Sequence, residues 1–408
     1  MQTGPTENVP TENVATENVA VRPHGLVPRL QPFTSTIFAE MTALAVRTGA
    51  VNLGQGFPDT GGPTGMLDVA REAIARGVNQ YPPGAGTPDL RAAIAQDRAR
   101  YGPAPDPDTE VLVTVGATEA ISAALLALVH AGDEVLLVEP YYDSYPAAVA
   151  MAGATRRSVP LVPDGGRFAL DVDALRAATT PATRAVLLNS PHNPTGTVFT
   201  RAELTALAEL AVERNLLVIT DEVYEHLVFD GAVHLPISSL PGMAQRTLSV
   251  SSAGKTFSVT GWKIGWVCGP APLVSAVRAA KQFLTFVSGA PFQPAVAHAL
   301  RAELGWVEKH RAALQGKQHR LAAGLRAAGL EVRRSEGTYF VCADVRALGA
   351  SDGIEFCRAL PERAGVVAVP VQVFADDPDP WRYVVRFAFC KRDDVLDEAI
   401  ARLAALVS

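Results

Sequence analysis

From residue 110 onward the chain alternates short, continuous apolar runs with stretches of helical periodicity. Val111 to Val115 is the first run, and Gly116-Ala-Thr-Glu119 then turns into a helix reaching about His130. Glu134 to Val138, Ala185 to Leu188, Leu216 to Thr220 and Thr247 to Ser251 repeat the theme, with helical stretches such as Arg201 to Arg214 between them. Continuous apolar strands separated by helices predict a parallel sheet covered on both faces. Ahead of this region, Ile37, Phe38, Met41 and Leu44 share one face of a helix predicted over Thr34 to Arg47. Two more helices are predicted over Gly65 to Arg76 and Pro88 to Arg100. Near residue 300 the pattern changes. A long Ala- and Arg-rich helical stretch, Arg301 to Ala328, is followed by strands at Glu331–Arg334, Tyr339–Ala343 and Val384–Phe389, with a helix at Gly353–Ala359. This predicts a second, α+β unit.

Composition narrows the function classes. The 408 residues are 48% hydrophobic and carry a net charge of −6. That length suits two or three domains. The mild acidity, with no basic stripe, disfavours nucleic acid as a partner. No apolar run approaches the roughly 20 residues needed to cross a bilayer. Cys268, Cys342, Cys357 and Cys390 are scattered without a C-x-x-C, so no metal site is expected and a reducing cytoplasm fits. Residues 1–24 repeat Thr-Glu-Asn-Val with a period of five, too short for a solenoid unit. They read as a disordered tail rather than a secretory signal.

The polar clusters fall at the carboxyl ends of the predicted strands, where open α/β sheets bind ligands. The most telling is Ser249-Val-Ser-Ser-Ala-Gly-Lys-Thr-Phe-Ser-Val-Thr-Gly-Trp-Lys-Ile-Gly-Trp266. Lys255 has no charged neighbour from Thr247 to Trp262. Desolvation lowers the pKa of such a lysine, and the neutral amine attacks carbonyls. Ser252 and Lys263 nearby suit a phosphate group. A lysine for an aldehyde beside a phosphate site outlines a pyridoxal phosphate pocket. Two plainer readings compete. Gly-Lys-Thr ends a nucleotide-binding G-x-x-x-x-G-K-[ST] loop, but the first glycine of that pattern is replaced by Ser249. A structural lysine in a loop is the other.

The remaining clusters supply what that cofactor chemistry needs. Asp221 directly follows an apolar strand, and its anion would keep a pyridine nitrogen protonated, making the ring an electron sink. Asn193 and Tyr224 can donate to the ring's phenolic oxygen, and Tyr142 can stack on the ring. Arg386 stands inside the strand-like run Tyr-Val-Val-Arg-Phe-Ala-Phe, costly unless an anion meets it. It could grip an α-carboxylate with two parallel hydrogen bonds, or serve in a structural ion pair. Lys255, once displaced by substrate, is placed to move the α-proton.

Asn193-Pro-Thr-Gly, Asp221-Glu-Val-Tyr224, Ser252-Ala-Gly-Lys255 through Lys263 and the Arg386 strand resemble the class I/II aminotransferases of pyridoxal phosphate fold type I. The spacings match as well, with 28 residues from Asn193 to Asp221 and 34 from Asp221 to Lys255. The resemblance covers about residue 30 to 408. It implies an α/β fold with a large domain, 51–295, built on a mainly parallel seven-stranded sheet. It also implies an arm and helix over 25–50 and a smaller α+β domain over 296–408. It makes Lys255 the Schiff-base and proton-transfer lysine, Asp221 the pyridinium partner, and Asn193 and Tyr224 the donors to the phenolic oxygen. Ala117, Thr118, Ser252 and Lys263 become phosphate contacts, with Lys263 standing where the family often has arginine. Gly56 and Arg386 become the α-carboxylate site, and Phe38 and Phe286 line the side-chain pocket. Tyr81 becomes the residue that reaches the phosphate in the other subunit of an obligate homodimer.

Within the family, Leu53-Gly-Gln-Gly-Phe-Pro-Asp59, Asn79-Gln-Tyr81 and Thr256-Phe-Ser-Val-Thr-Gly-Trp262 resemble the branch holding kynurenine, glutamine and methionine aminotransferases. Along most of its length the chain is also similar to actinobacterial proteins assigned as N-succinyl-diaminopimelate aminotransferases. The implied reaction moves an amino group between an L-amino acid and a 2-oxo acid, with 2-oxoglutarate as acceptor, by a ping-pong route. A pyridoxal phosphate-dependent carbon–sulfur β-lyase on the same fold uses the same Lys255 and Asp221 and stays open. A regulator built on this domain would need a basic DNA-binding module, which the first 30 or so residues lack. No second arginine is evident for an ω-carboxylate.

Overall fold

The computed structural model describes residues 25–406; the predicted tail, 1–24, lies outside them. Four strands come first: β1 (Val51–Asn52), β2 (Val111–Thr114), β3 (Glu134–Glu139) and β4 (Thr155–Pro160). A small hairpin of β5 (Val162–Asp164) and β6 (Arg167–Ala169) precedes β7 (Thr183–Asn189), β8 (Leu217–Asp221), β9 (Thr247–Ser252) and β10 (Gly265–Cys268). The C-terminal part adds β11 (Glu331–Val332), β12 (Phe340–Asp344), β13 (Val366–Val367), β14 (Val369–Pro370) and β15 (Val384–Ala388).

Seven of these form one sheet, in the order β2-β10-β9-β8-β7-β3-β4. All neighbours are parallel except at β10, which is antiparallel to both β2 and β9. The fold is the α/β arrangement the sequence implies. Period-two alternation sends successive side chains to opposite faces. Val135 and Leu137 join one core, while Leu136 and Val138 join the other. Both faces are apolar because helices cover both.

A second sheet, β11-β12-β15-β14, is wholly antiparallel. Its core includes Met41 and Leu44 from helix α1 (Ile37–Thr48). β1 pairs with β13, so residues 51 and 52 attach to this C-terminal unit rather than to the large sheet. Three helices follow α1: α2 (Thr64–Ala75), α3 (Pro88–Arg98) and α4 (Gly116–Leu128).

Two predicted helices begin elsewhere than the pattern suggests. α1 starts at Ile37, not Thr34, because the extended Thr36 accepts the Ala39 N–H at 3.2 Å and caps the helix. Residues 28–33 instead form a separate 3₁₀ turn. The stretch expected over Arg301 to Ala328 is two helices, Phe292–Ala302 and Leu304–Ala327, broken at Glu303. No described helix is long and apolar enough to cross a membrane.

Candidate active site

A cavity of about 360 Å³ opens between the carboxyl edge of the large sheet and the C-terminal unit. Lys255 reaches it from the short turn Ala253–Thr256, which β9 delivers. Burial lowers the Lys255 pKa to about 8; the neighbouring Cys390 and Asp221 oppose that shift, while Arg386 and Lys263 add to it. The amine is then about half neutral near pH 8, far more than an ordinary lysine. Its Nζ donates to the Tyr339 hydroxyl at 2.9 Å.

Asp221 ends β8 and is 5% exposed. Burial pushes its pKa up to about 6, against hydrogen bonds from Tyr145 and Val223 and the charge of Lys255. The Tyr145 hydroxyl donates to Oδ2 at 2.7 Å, and the Val223 N–H to Oδ1 at 3.2 Å. A cation placed against this carboxylate would keep it ionised. Tyr142 also lines the cavity and meets Tyr145 edge-on at 5.7 Å.

The N-terminus of α4 forms one end of the cavity, with Ala117 and Thr118 on its first turn. Gly116 has φ 76°, and a Cβ built there would come within 3.2 Å of Lys263 Nζ. Unpaired helix N–H groups beside an ammonium make an anion cradle. Ser252, at the end of β9, lines the same cavity. The backbone fits tightly here, since a Cβ on Gly265 would lie 2.6 Å from Gly116.

Arg386 lies in β15 and is 2% exposed. It donates to Asn193 Oδ1 at 3.0 Å and to the Gly54 carbonyl at 2.8 Å. Its guanidinium sits 4.0 Å from the Phe340 ring centroid and 5.2 Å from that of Phe38. Among the described residues it forms no ion pair, and its Nε has no hydrogen-bond partner. A buried cation without a carboxylate is incomplete, so a structural ion pair does not account for it. Asn193 gives its carbonyl oxygen to Arg386, which leaves its amide N–H₂ for the cavity.

The structure thus gathers Lys255, Asp221, Tyr224, Asn193, Ser252 and Lys263 around one cavity. Ala117, Thr118, Tyr142, Gly56, Arg386 and Phe38 complete the set expected from the sequence. Two expected residues are not brought there. Tyr81 and Phe286 are 79% and 51% exposed and pack edge-on against each other at 5.3 Å. In the single chain Phe286 lies outside the cavity lining, and its backbone is left-handed, with φ 67°. Two residues hydrogen-bonded to predicted site groups had no place in the sequence reading, Tyr145 beside Asp221 and Tyr339 beside Lys255. Tyr145 is signalled by its position three residues after Tyr142; Tyr339 has no comparable signal.

An amine, a buried carboxylate and an anion cradle thus share one cavity with an arginine that has no carboxylate partner among the described residues. The chain belongs to the aminotransferase class I and II family, whose profile matches residues 48–403, and it is an aminotransferase. It is 62% identical over 389 residues to a probable N-succinyldiaminopimelate aminotransferase of Mycobacterium tuberculosis, covering 93% of this chain and 98% of that one. A solved structure of N-succinyldiaminopimelate aminotransferase from that organism superposes with a TM-score of 0.92 at 63% identity, covering 94% of this chain and all of the other. The methionine aminotransferase of Escherichia coli is 41% identical over 93% of this chain and 99% of its own length.

Proposed function

We propose that the cavity holds pyridoxal phosphate, and that the chain moves an amino group from an L-amino acid to a 2-oxo acid, 2-oxoglutarate being the acceptor, by a ping-pong route. The observation that carries this reading is the convergence of Lys255, Asp221 and Arg386 on one cavity. The donor set fits the group. Lys255 would meet its aldehyde, Asp221 its ring nitrogen, and Tyr142 its ring face. Ala117, Thr118, Ser252 and Lys263 would hold its phosphate, and Asn193 and Tyr224 its phenolic oxygen. Burial raises the Tyr224 phenol far above its ordinary range, so it stays protonated and able to donate. When bound, the cofactor supplies an electron sink for the substrate's α-carbon.

The chain's own residues do the rest. Arg386, with Gly56 and Asn193 beside it, clamps the substrate α-carboxylate and fixes which bond faces Lys255. Lys255, neutral in an appreciable fraction near pH 8, takes and returns the α-proton. Phe38 borders the substrate's side chain.

The donor we favour is N-succinyl-L,L-diaminopimelate, on the strength of the mycobacterial relative. Methionine, glutamine and kynurenine are the runners-up, methionine being supported by the relative from Escherichia coli. We further propose a cytoplasmic homodimer in which Tyr81 and Phe286 enter the partner's site. Their exposure, with Phe283 beside them at 85%, supports an apolar docking face. The division we propose is a large domain over 51–295, less residues 51 and 52, which pair with β13, a small one over 296–408 and an arm over 25–50. The test is an absorbance assay of the cofactor-loaded protein with single amino acids and no acceptor. Conversion by N-succinyl-diaminopimelate at least tenfold faster than by methionine is expected. Equal or faster conversion by methionine, glutamine or kynurenine would replace the favoured donor. Pyruvate release from cystine without any oxo acid would point to a β-lyase instead.

A further inference from the structure

Tyr339 stands directly behind Lys255 and has no part in the assignments above. It is 1% exposed. Its backbone is pinned on both sides. Thr338 turns the chain at φ 68° and donates its N–H to the Leu227 carbonyl at 2.9 Å, and the Phe389 N–H donates to the Tyr339 carbonyl at 2.9 Å. The ring is wedged edge-on between Tyr224 and Phe340, at centroid distances of 5.2 Å and 4.8 Å. Packing therefore sets the ring without help from the hydroxyl.

That hydroxyl has three hydrogen-bonded neighbours, the Gly56 carbonyl, the Lys255 amine and the Tyr224 side chain. It donates to the Gly56 carbonyl and accepts from Lys255 Nζ, the latter at 2.9 Å. A phenol has one proton, and a carbonyl can only accept. The proton thus points away from Lys255, toward Gly56 on the Tyr224 side, and toward the amine the oxygen offers only a lone pair. A neutral amine carries two N–H bonds and one lone pair. With one N–H held by Tyr339, the lone pair is left on the sides of the nitrogen that face the cavity. Burial raises the Tyr339 phenol well above its ordinary range, so it stays a hydroxyl and does not itself take the proton.

We propose that Tyr339 is the positioning residue of Lys255, a fixed acceptor that turns the amine's lone pair toward the substrate and holds the ammonium formed when the α-proton arrives. This rests on the reading of Lys255 as the group that moves that proton. In the step, the substrate's α C–H bond breaks, an N–H bond forms on Lys255, and the electron pair stays on the substrate side. The new charge strengthens the hydrogen bond to Tyr339, because a charged donor binds a neutral oxygen more tightly than a neutral one does. The other groups facing the amine are Cys390, Asp221, Arg386 and Lys263, with the Tyr224 ring at 5.8 Å. None of them shares a hydrogen bond with it among the described residues. Through the Gly56 carbonyl, the same hydroxyl ties the lysine to the loop after β1 that borders the cavity.

Tyr339→Phe removes the hydroxyl and keeps the ring. Two measurements separate positioning from mere packing. The first is a titration of the Lys255 Nζ by ¹⁵N NMR in cofactor-free protein, where the variant's pKa should fall by about one unit below that of the native chain. The second is steady-state turnover with an α-deuterated amino acid. There kcat should fall about tenfold, KM should stay within about twofold, and the isotope effect on kcat should rise, since proton transfer has become slower. Tyr339→3-fluorotyrosine, a weaker acceptor of nearly the same shape, should give intermediate values of all three and serves if the phenylalanine variant does not fold. An unchanged lysine titration with an unchanged isotope effect in either variant overturns the proposal. Lys255→Ala separates that failure from a failure of the site reading: if it still transaminates, Lys255 is not the proton-moving group and the reading beneath the proposal falls with it.

Discussion

Asp221 and Glu222 are adjacent in the chain, both carboxylates and both buried, yet they serve opposite ends. Asp221 faces the cavity with Tyr145 and Lys255 around it, and burial leaves its pKa high, at about 6. Glu222 turns the other way, into a cluster with Glu225, Arg98 and Arg100. There Arg98 donates to Glu222 at 2.6 Å and to Glu225 at 3.1 Å, and Arg100 lies 2.8 Å from Glu225. Ser251 completes Glu225 at 2.7 Å. Burial alone would raise both glutamates, but the arginines outweigh it and hold them below the ordinary carboxylate range. In this cluster each glutamate faces an arginine, and only the Asp97 carboxyl beside Arg100 is left high, pushed up by burial to about 7. The other keeps a carboxylate, an amine and an arginine that lack full partners, and an incomplete set of buried charges awaits a ligand.

The largest effect that sharpens this contrast is on the cavity side. Lys255→Ala is expected to slow the donor half-reaction by at least about 10³-fold, beyond what binding groups alone restore. Rapid-mixing absorbance measures it, and a fall of less than tenfold would remove Lys255 from the centre of the site. Next comes Arg386→Lys, which keeps charge but loses the paired hydrogen bonds. It should lower kcat/KM about 10–100-fold, mainly through KM. A decarboxylated amine substrate should lose the distinction between the two proteins.

On the other side of the strand, the expected loss is in stability. Glu225→Gln strips one partner from Arg98 and Arg100 and should cost about 3–5 kcal/mol in chemical unfolding. Turnover per folded molecule should stay within about twofold of the native value. Asp221→Asn should do the reverse, abolishing most turnover while leaving cofactor-free stability unchanged or higher near pH 7. If Glu225→Gln lost activity without stability, the division between the two clusters would be wrong.

The smallest effect is a pH dependence. The folded pKa of Asp221 lies above its ordinary value of 3.8, at about 6. Between those values the folded state binds the extra proton, so its contribution is fully present at low pH and is lost as pH rises through about 6. In cofactor-free protein, unfolding free energy should carry a downward component from pH 4 to 6 that Asp221→Asn removes. Bound pyridoxal phosphate should remove it too, since a cationic partner lowers the carboxylate again.

Much of this site is legible in the chain because each element ends in its own chemistry. β8 runs apolar to Asp221, β9 runs to Ser252 and Lys255, and the residues after β7 carry Asn193. A reader following the alternation arrives at each functional side chain in turn. Tyr145 is half-legible, three residues beyond Tyr142. Tyr339 is not, since it sits more than eighty residues from Lys255 among apolar neighbours and looks like core. Phe286 is an aromatic in the expected region that lies exposed, outside the cavity lining of its own chain.

The sequence by itself determined the α/β order of elements, the lysine without charged neighbours, and the carboxylate and arginine embedded in apolar strands. Those follow from short-range physics, since periodicity and desolvation act on neighbouring residues. That Arg386 lacks a carboxylate partner among the described residues, that Glu222 faces an arginine where Asp221 does not, and that Tyr339 stands behind Lys255 emerge only once the chain is folded. Each of these depends on which distant segments meet, and charge balance and hydrogen-bond direction are properties of the meeting rather than of either segment.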